Sequence, residues 1–360
     1  MSPGPQVQPG VCVVGFGAAT AIGRTAPATA AAARAGIAGY AEHPFMISKR
    51  VEPYIQARAP YLDVTLPLPQ RLLGLALPSA QEALEKLVDR LTAPVSVPVF
   101  VGLPSPRPGL PAELGPELIR QLAGVTAPGC RLAPIQLLQQ GHSAGLMAVE
   151  LACQALRGRQ SHFCLAGGVD SYVDPDTLDW LEKHDQIHNP DNAWGFIPGE
   201  AAAFCLLCDE GTAEELELPV RCRIVAVATD NEPNRIKTDT VCVGAGLTKV
   251  FRKVLPALPP DARVDNILCD QNGEAYRADE YGFSLTRTNK FFVDGSDFVS
   301  PADCWGDVGA ASGPLFVVLA ATAAQKGYAR GPWTLAWTSS EGGERSAALI
   351  YAEVAKRGAA

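Results

Sequence analysis

The strongest local pattern for chemistry is GHSAG at residues 141–145, where a histidine and a serine lie between two glycines. A Gly-x-Ser-x-Gly sequence is the nucleophile elbow of α/β-hydrolases, and it would make Ser143 a nucleophile. Such an enzyme carries its histidine after the serine and an acid, but no histidine of this chain follows His188. We therefore expect Ser143 to be an N-cap or first-turn hydroxyl of a helix.

Two other patterns are typical of metal or redox sites. His184 and His188 are four residues apart, a spacing that chelates a metal when both lie on one helix, but no third ligand stands nearby. Cys205 and Cys208 form a CxxC inside AAAFCLLC, which is typical of a buried strand, and no second pair follows at zinc-ribbon spacing. We therefore predict no metal site and no cofactor.

The elements that hold GHSAG recur later in the chain. Residues 141–158, GHSAGLMAVELACQALRG, and residues 309–327, GAASGPLFVVLAATAAQKG, both open with a turn of small residues and continue as an apolar helix that stops at glycine. Each is followed by a strand and a glycine pair. Helices that are apolar on nearly all faces must be buried on all sides. The pattern predicts an α/β fold of five layers, helix–sheet–helix–sheet–helix, made of two pseudo-symmetric halves, 1–210 and 211–360.

Composition excludes several classes of function. The net charge is −8 and basic residues are scattered, which argues against nucleic-acid binding. The opening MSPGPQVQPG has no signal-peptide pattern, and no apolar run reaches the roughly 20 residues that span a bilayer. The ten cysteines lie mostly in apolar runs, as reduced core thiols do. We expect a cytoplasmic protein that binds neither nucleic acid nor membrane.

Five segments in the right order resemble the β-ketoacyl synthases of the thiolase superfamily. They are VVGFGAATAIG, ARAGIAGYAEHPF, LAGGVDSYVDP, GFIPGEAAAFCLL and SSEGGERSAAL, spread over nearly the whole chain. The resemblance implies the thiolase fold and a dimer, of this chain with itself or with a related chain. The strand before GHSAG, at about residues 133–138, is the expected dimer contact, because its apolar APIQLL would otherwise be an exposed edge.

The same resemblance implies three catalytic positions, a cysteine at a helix N-terminus and two histidines. In this chain His142 stands at the cysteine position, Asn272 at the first histidine and Asp307 at the second. A carboxylate would repel a developing enolate. We therefore predict a degenerate active site with no assigned catalytic residue, in which His142, Asn272 and Asp307 form a remnant pocket beside Ser143 and Cys304.

The segment QNGEAYRADEYGFSLTRT, from 271 to 288, combines charged and aromatic residues. We interpret it as a surface loop that binds a partner, as such mixtures are common at interfaces. Its phrase NGE-YRADE-GF resembles thiolase-like proteins that are encoded beside type VI secretion effectors and their adaptors. The candidate contact residues are Glu274, Tyr276, Arg277, Tyr281 and Arg287.

Two functions follow from this sequence. The first is a non-catalytic scaffold, chaperone-like or adaptor-like accessory protein that binds another protein, such as a secreted effector or its adaptor. The second is an unusual acyltransferase or decarboxylase that binds acyl-CoA or acyl carrier protein in the remnant pocket. His142 paired with Asp307 would be structural in the first and a base or hydrogen-bond donor in the second.

Overall fold

The computed structural model describes residues 10–91 and 93–356, so most of the opening segment considered above lies outside the described residues. The strands are β1 Val11–Thr20, β2 Ala41–Ile47, β3 Pro53–Gln56, β4 Val95–Leu103, β5 Cys130–Gln139, β6 Phe163–Ser171, β7 Glu200–Cys208, β8 Cys222–Asn231, β9 Asn266–Cys269, β10 Trp333–Ser339 and β11 Glu344–Tyr351. The helices are α1 Ala26–Arg34, α2 Leu68–Val88, α3 Leu114–Ala123, α4 Ala144–Arg157, α5 Pro175–Lys183, α6 Glu210–Glu215, α7 Ala245–Val254, α8 Ala275–Thr288, α9 Ala302–Trp305 and α10 Ser312–Gln325. No helix in these ranges is both long and apolar enough to cross a bilayer.

The main sheet has the strand order β5-β4-β6-β7-β1-β8-β11-β10-β9. Its first five strands precede residue 210 and its last four follow it. The two groups meet where β1 pairs with β8 from Val11↔Ile224 to Val13↔Cys222. Hydrogen bonding is therefore continuous across a short junction, where the sequence indicated two separate sheets. The division into 1–210 and 211–360 remains a prediction.

Helices cover the sheet in the expected layers. One apolar cluster joins α4 and α10 to strands of both groups, through residues such as Val149, Phe316, Cys205 and Ile350. A second cluster packs α2 and α3 on the outer face of the first group, and a third packs α7 and α8 on the second group. The α/β fold with a buried helical layer is thus confirmed, and Cys205 and Cys208 lie buried in β7 as predicted.

The starts of α4 and α10 meet at the centre of the molecule. Each helix follows a short 3₁₀ turn, Gly141–Ser143 before α4 and Gly309–Ala311 before α10. A side chain at Gly145 would place its Cβ only 2.4 Å from the Ala310 carbonyl oxygen, so only glycine permits this approach. The close contact brings the residues before both helices into one site.

The segment predicted to be a surface loop is mostly α8. Arg277, Tyr281, Ser284 and Thr288 are buried, and they repeat at intervals of three and four residues along one face of the helix. The interpretation as an exposed loop was wrong because charge and aromatic content obscured this helical period. The buried face of α8 carries polar groups that belong to the candidate site.

Candidate functional site

His142 lies in the turn that opens α4, and its side chain is 8% exposed. The next residue, Ser143, donates its hydroxyl to the carbonyl oxygens of Thr338 and Glu344 at 3.1 and 2.9 Å. Its backbone N–H donates to Ser340 Oγ at 2.8 Å. Ser143 therefore lies at the helix start as predicted, but its hydroxyl is bonded to backbone acceptors of other segments and makes no capping hydrogen bond to α4.

The three remnant positions converge as the sequence predicted. Nε2 of His142 lies 2.9 Å from both carboxylate oxygens of Asp307. Asn272 donates from Nδ2 to Asp307 Oδ2 at 2.6 Å, and the backbone N–H of Gly309 donates to Asp307 Oδ1 at 2.8 Å. Asp307 thus accepts hydrogen bonds from groups on three sides, and these bonds fix its orientation toward His142.

Arg277 is a residue of this site that the sequence analysis placed on the surface. Its side chain is fully buried, and Nη2 lies 3.2 Å from Nε2 of His142. Its Nη1 donates to Asp270 Oδ2 at 3.0 Å and to the Ser339 carbonyl oxygen at 2.8 Å. Arg277 therefore joins α8 to the ends of β9 and β10 beneath His142. The spacing of three and four residues between the buried positions of α8 is the signal in the sequence that could have predicted a buried Arg277.

The electrostatics of the pair follow from this arrangement. Burial alone would lower the pKa of His142, but the Asp307 carboxylate outweighs burial and raises that pKa above its ordinary value, while Arg277 acts in the opposite direction. Burial alone would raise the pKa of Asp307, but His142 and Arg277 outweigh it and hold that pKa well below its usual range. The arrangement therefore favours the charged pair, imidazolium and carboxylate, over a wider pH range than an isolated histidine would have.

A second layer of ion pairs surrounds Glu274, whose side chain is 5% exposed. Lys237 lies with Nζ 3.0 Å from Glu274 and 2.7 Å from Glu341, and Tyr276 donates its hydroxyl to Glu274 at 3.0 Å. Burial alone would raise the pKa of Glu274, but Arg277 and Lys237 outweigh it, and the pKa lies below its ordinary value. Lys237 thus connects this buried layer to the glycine loop at 341–343.

These contacts correct the predicted partner surface. Glu274 and Arg277 are buried in the ion network, and Tyr276 is half-buried over it. Tyr281 is buried as well, with its ring stacked on Trp337 at 5.1 Å and its hydroxyl donating to the Gly295 carbonyl oxygen. Of the five predicted contact residues, only Arg287 is exposed. The segment is therefore the wall of the site and not a free surface.

Two pockets flank the His142–Asp307 pair. The first, of about 190 Å³, is lined by His142, Arg107, Gln186 and Glu341 together with the aromatic rings of Tyr172, Trp180 and Phe196. The second, of about 210 Å³, lies on the side of Asn272 and Asp307. No cysteine is among the described residues that line either pocket.

Cys304 does not reach this site, contrary to the prediction. It lines a separate pocket of about 550 Å³ on the far side of α9, and its sulfur lies 3.8 Å from the Ala33 carbonyl oxygen. Burial raises the pKa of the Cys304 thiol, with Asp303 adding to the effect. Cys304 is therefore an unreactive thiol next to another cavity.

The histidines considered as metal ligands are separate. His184 follows α5 and places Nδ1 2.7 Å from the Trp180 carbonyl oxygen, whereas His188 lies beyond the helix in an irregular segment. Within the described ranges, the group of side chains able to surround a metal ion is Glu232, Cys242 and Glu280. None of these three lines a pocket next to His142.

Comparisons with known proteins agree with this architecture. Residues 134–213 match the profile of the β-ketoacyl synthase N-terminal domain. A structure of a type II PKS acyl-carrier protein in complex with its ketosynthase, AntDE:AntF, is similar with a TM-score of 0.75 and 14% identity, over 96% of this chain and 100% of that chain. The ishigamide ketosynthase/chain length factor is similar with a TM-score of 0.74 and 15% identity, over 96% of this chain and 99% of that chain. The ketosynthase from module 6 of the bacillaene synthase from Bacillus subtilis 168 is similar with a TM-score of 0.73 and 14% identity, over 95% of this chain and 72% of that chain.

Proposed function

Since the chain has the thiolase-like fold of the ketosynthases, we propose that it is a degenerate ketosynthase that functions by binding another protein. One observation carries this proposal. The position that the resemblance assigns to the nucleophile holds a buried imidazole, ion-paired to Asp307 and in contact with Arg277. Because a condensing enzyme needs a thiolate there and electrophilic groups around it, this site is built to be stable and not to turn over.

The proposed role is that of a scaffold, chaperone-like or adaptor-like accessory protein for loading a type VI secretion effector. The resemblance of residues 272–283 to proteins encoded beside such effectors supports this finer step. Exposed apolar side chains on the β2–β3 hairpin support a protein contact, because Phe45 and Ile47 are 68% and 57% exposed and lie two residues apart on β2.

A dimer through β5 is part of the proposal. This strand is one edge of the described nine-stranded sheet, and its residues alternate between half-buried and exposed from Ala133 to Leu137. An unpaired edge with apolar side chains favours pairing with another chain. Either a second copy or a related chain would satisfy this edge.

The test combines binding with activity. The purified chain is mixed with a purified effector, or effector adaptor, encoded beside it, and complex formation is measured by light scattering and calorimetry. We expect a stoichiometric complex that Phe45→Ser with Ile47→Ser weakens and that Gln70→Ser, an exposed control on α2, leaves unchanged. Turnover of malonyl or acyl thioesters that depends on His142, without a protein complex, would overturn the proposal.

The alternative function, an acyltransferase or decarboxylase, draws its support from the pocket of about 190 Å³ beside His142. If acyl-CoA binds the native state there, its presence at 100 times the dissociation constant adds about 2.7 kcal/mol of apparent stability. A thermal shift with acyl-CoA that His142→Ala abolishes would favour this function. The absence of a shift with CoA, acyl-CoA and acyl carrier protein would remove its basis.

A further inference from the structure

Glu232, Cys242 and Glu280 form a second buried cluster, separate from the His142 site. Glu232 directly follows β8, Cys242 lies in the same loop, and Glu280 is on α8. One oxygen of each carboxylate and the Cys242 sulfur lie within 4.8 Å of one another. Both glutamates are fully buried, and Cys242 is half-buried. The sequence analysis does not predict this site, because Glu280 lies on a helix well beyond the loop that carries Glu232 and Cys242.

The cluster is short of positive charge. Arg345, also fully buried, pairs with Glu280 through Nε and Oε1 at 2.5 Å. Glu232 accepts backbone N–H groups of Gly246 and Asn234 at 2.6 and 3.2 Å, and these groups carry no net charge. Among the described residues, the ion pair of this cluster is that of Glu280 with Arg345, so two carboxylates face one guanidinium and one negative charge has no paired counter-charge. Burying such a charge is strongly unfavourable unless a proton or a cation neutralises it.

One oxygen of Glu280 has no partner. Oε2 is buried and makes no hydrogen bond to any described residue. The Ser339 hydroxyl lies beside Glu280, but neither this hydroxyl nor Oε2 makes a hydrogen bond of regular geometry. An unpartnered buried carboxylate oxygen beside a second carboxylate and a thiol is the feature that calls for a cation.

We propose that Glu232, Glu280 and Cys242 bind one divalent cation of the zinc class. A thiolate and two carboxylates are ligands that Zn²⁺ accepts, whereas the sulfur disfavours Mg²⁺ and Ca²⁺. Binding removes the thiol proton to solvent and forms a metal–sulfur bond. Two carboxylates and one thiolate, against one guanidinium and one divalent cation, then sum to zero. Three protein ligands leave one position of a tetrahedral site for water.

The bound cation would fix the loop between Glu232 and Gly244 to α8. This loop carries Lys237, which pairs with Glu274 and Glu341 at the edge of the His142 network. The cation therefore has a structural role that links the second cluster to the mouth of the remnant pocket. This role does not depend on the proposed protein partner.

The experiment uses Co²⁺ as a spectroscopic substitute for Zn²⁺. The full chain is stripped with a chelator and titrated with Co²⁺, and a near-ultraviolet band reports cobalt–thiolate bonding. Zn²⁺ content is measured separately by elemental analysis. We expect about one equivalent of either metal, and a thiolate band that Cys242→Ser abolishes while Cys130→Ser, on the distant β5, retains it.

The carboxylates are tested by Glu232→Gln and Glu280→Gln, with circular dichroism to verify folding. Mutating a residue that only supports a metal ligand typically lowers metal affinity by about 10–100-fold. Replacing a ligand itself should therefore weaken metal binding by at least about this factor. Two variants are used because Glu280→Gln also breaks the pair with Arg345. Substoichiometric metal, a missing thiolate band, or a band that survives Cys242→Ser would overturn the proposal, and the cluster would then be neutralised by a proton.

Discussion

Asp307 and His142 join the two parts of the molecule through a buried ion pair, with both Asp307 oxygens 2.9 Å from Nε2 of His142. His142 opens α4 in the first part of the chain, and Asp307 precedes α10 in the second. In a condensing enzyme of the kind that the sequence resembles, these positions would act on a substrate between them. Here each residue satisfies the other, so the pair stabilises the contact of the two central helices.

Replacing Asp307 with asparagine is expected to lower the free energy of unfolding strongly. The change leaves His142 buried without its carboxylate partner, and breaking a buried pair in this way costs about 3–5 kcal/mol. Urea denaturation of both proteins measures the difference. Asp303→Asn is the matched control, because Asp303 is exposed and four residues away, and we expect a change of about 0.5 kcal/mol or less. Equal effects of the two substitutions would contradict a stabilising role for the pair.

The stability that the pair contributes should depend on pH in a defined window. The folded pKa of His142 is raised above its ordinary 6.5, so its contribution is complete below about pH 6.5 and is lost as pH rises through the folded value. The folded pKa of Asp307 lies below its ordinary 3.8, so its contribution is complete above about pH 4 and is lost as pH falls through the folded value. The pair therefore stabilises most between about pH 4 and 6.5.

This dependence is measured by urea denaturation from pH 6 to 9, for the wild type and His142→Gln. The difference between the two should shrink as pH rises. His184→Gln is the control, because His184 is exposed outside the network, and we expect a change of about 0.5 kcal/mol or less in the free energy of unfolding. A difference for His142→Gln that is independent of pH would show that folding does not raise the pKa of His142, and would contradict the charged pair.

Much of the fold was predictable because its signals are local or repeated. The apolar helices after residues 141 and 309 and the strand at Cys205 follow from periodicity alone. The convergence of His142, Asn272 and Asp307 was also predictable, since it follows from the resemblance. Arg277 and Glu274 were misplaced because charged residues are rarely buried, and their partners Asp270 and Lys237 lie in other segments. The joining of the sheets at β1 and β8 depends on three-dimensional contact that no local pattern encodes.

Arg277 and Arg287 lie on the same helix, one buried and the other exposed. Replacing each should show how much more the buried arginine contributes to the free energy of unfolding. Arg277→Ala removes a fully buried guanidinium bound to Asp270 and near His142, so the free energy of unfolding should fall by about 3–5 kcal/mol. Arg287→Ala removes an exposed side chain that donates to the Val243 carbonyl oxygen, and the loss should be about 1 kcal/mol or less. Chemical denaturation compares the two. Similar losses would place Arg277 outside the core of the site.

The proposed dimer should be sensitive to charge on β5. Gln136 is exposed on this edge strand, and a lysine there would place like charges close together across a paired edge. We expect Gln136→Lys to shift the mass measured by light scattering from dimer toward monomer at micromolar concentration. Gln70→Lys, on the exposed side of α2, should leave the mass unchanged. A wild-type chain that is monomeric under these conditions would contradict the dimer.

A cysteine introduced at position 142, at the start of α4, should not be a reactive nucleophile. In His142→Cys the sulfur would lie near the Asp307 carboxylate, which disfavours a thiolate, although the N-terminus of α4 favours it. We expect alkylation by iodoacetamide at pH 7 to be no faster than that of a free cysteine with a pKa of about 8.5. The rate is measured by mass spectrometry of the peptide that contains residue 142.

The matched variant combines His142→Cys with Asn272→His and Asp307→His, the residue types that the resemblance assigns to these positions. Two imidazoles in place of a carboxylate and an amide should favour the thiolate, so this variant should be alkylated faster than His142→Cys alone. Circular dichroism of both variants verifies that the fold is retained. If the single variant already reacts much faster than free cysteine, or accumulates an acyl-enzyme from an acyl thioester, Asp307 is not the residue that suppresses the chemistry.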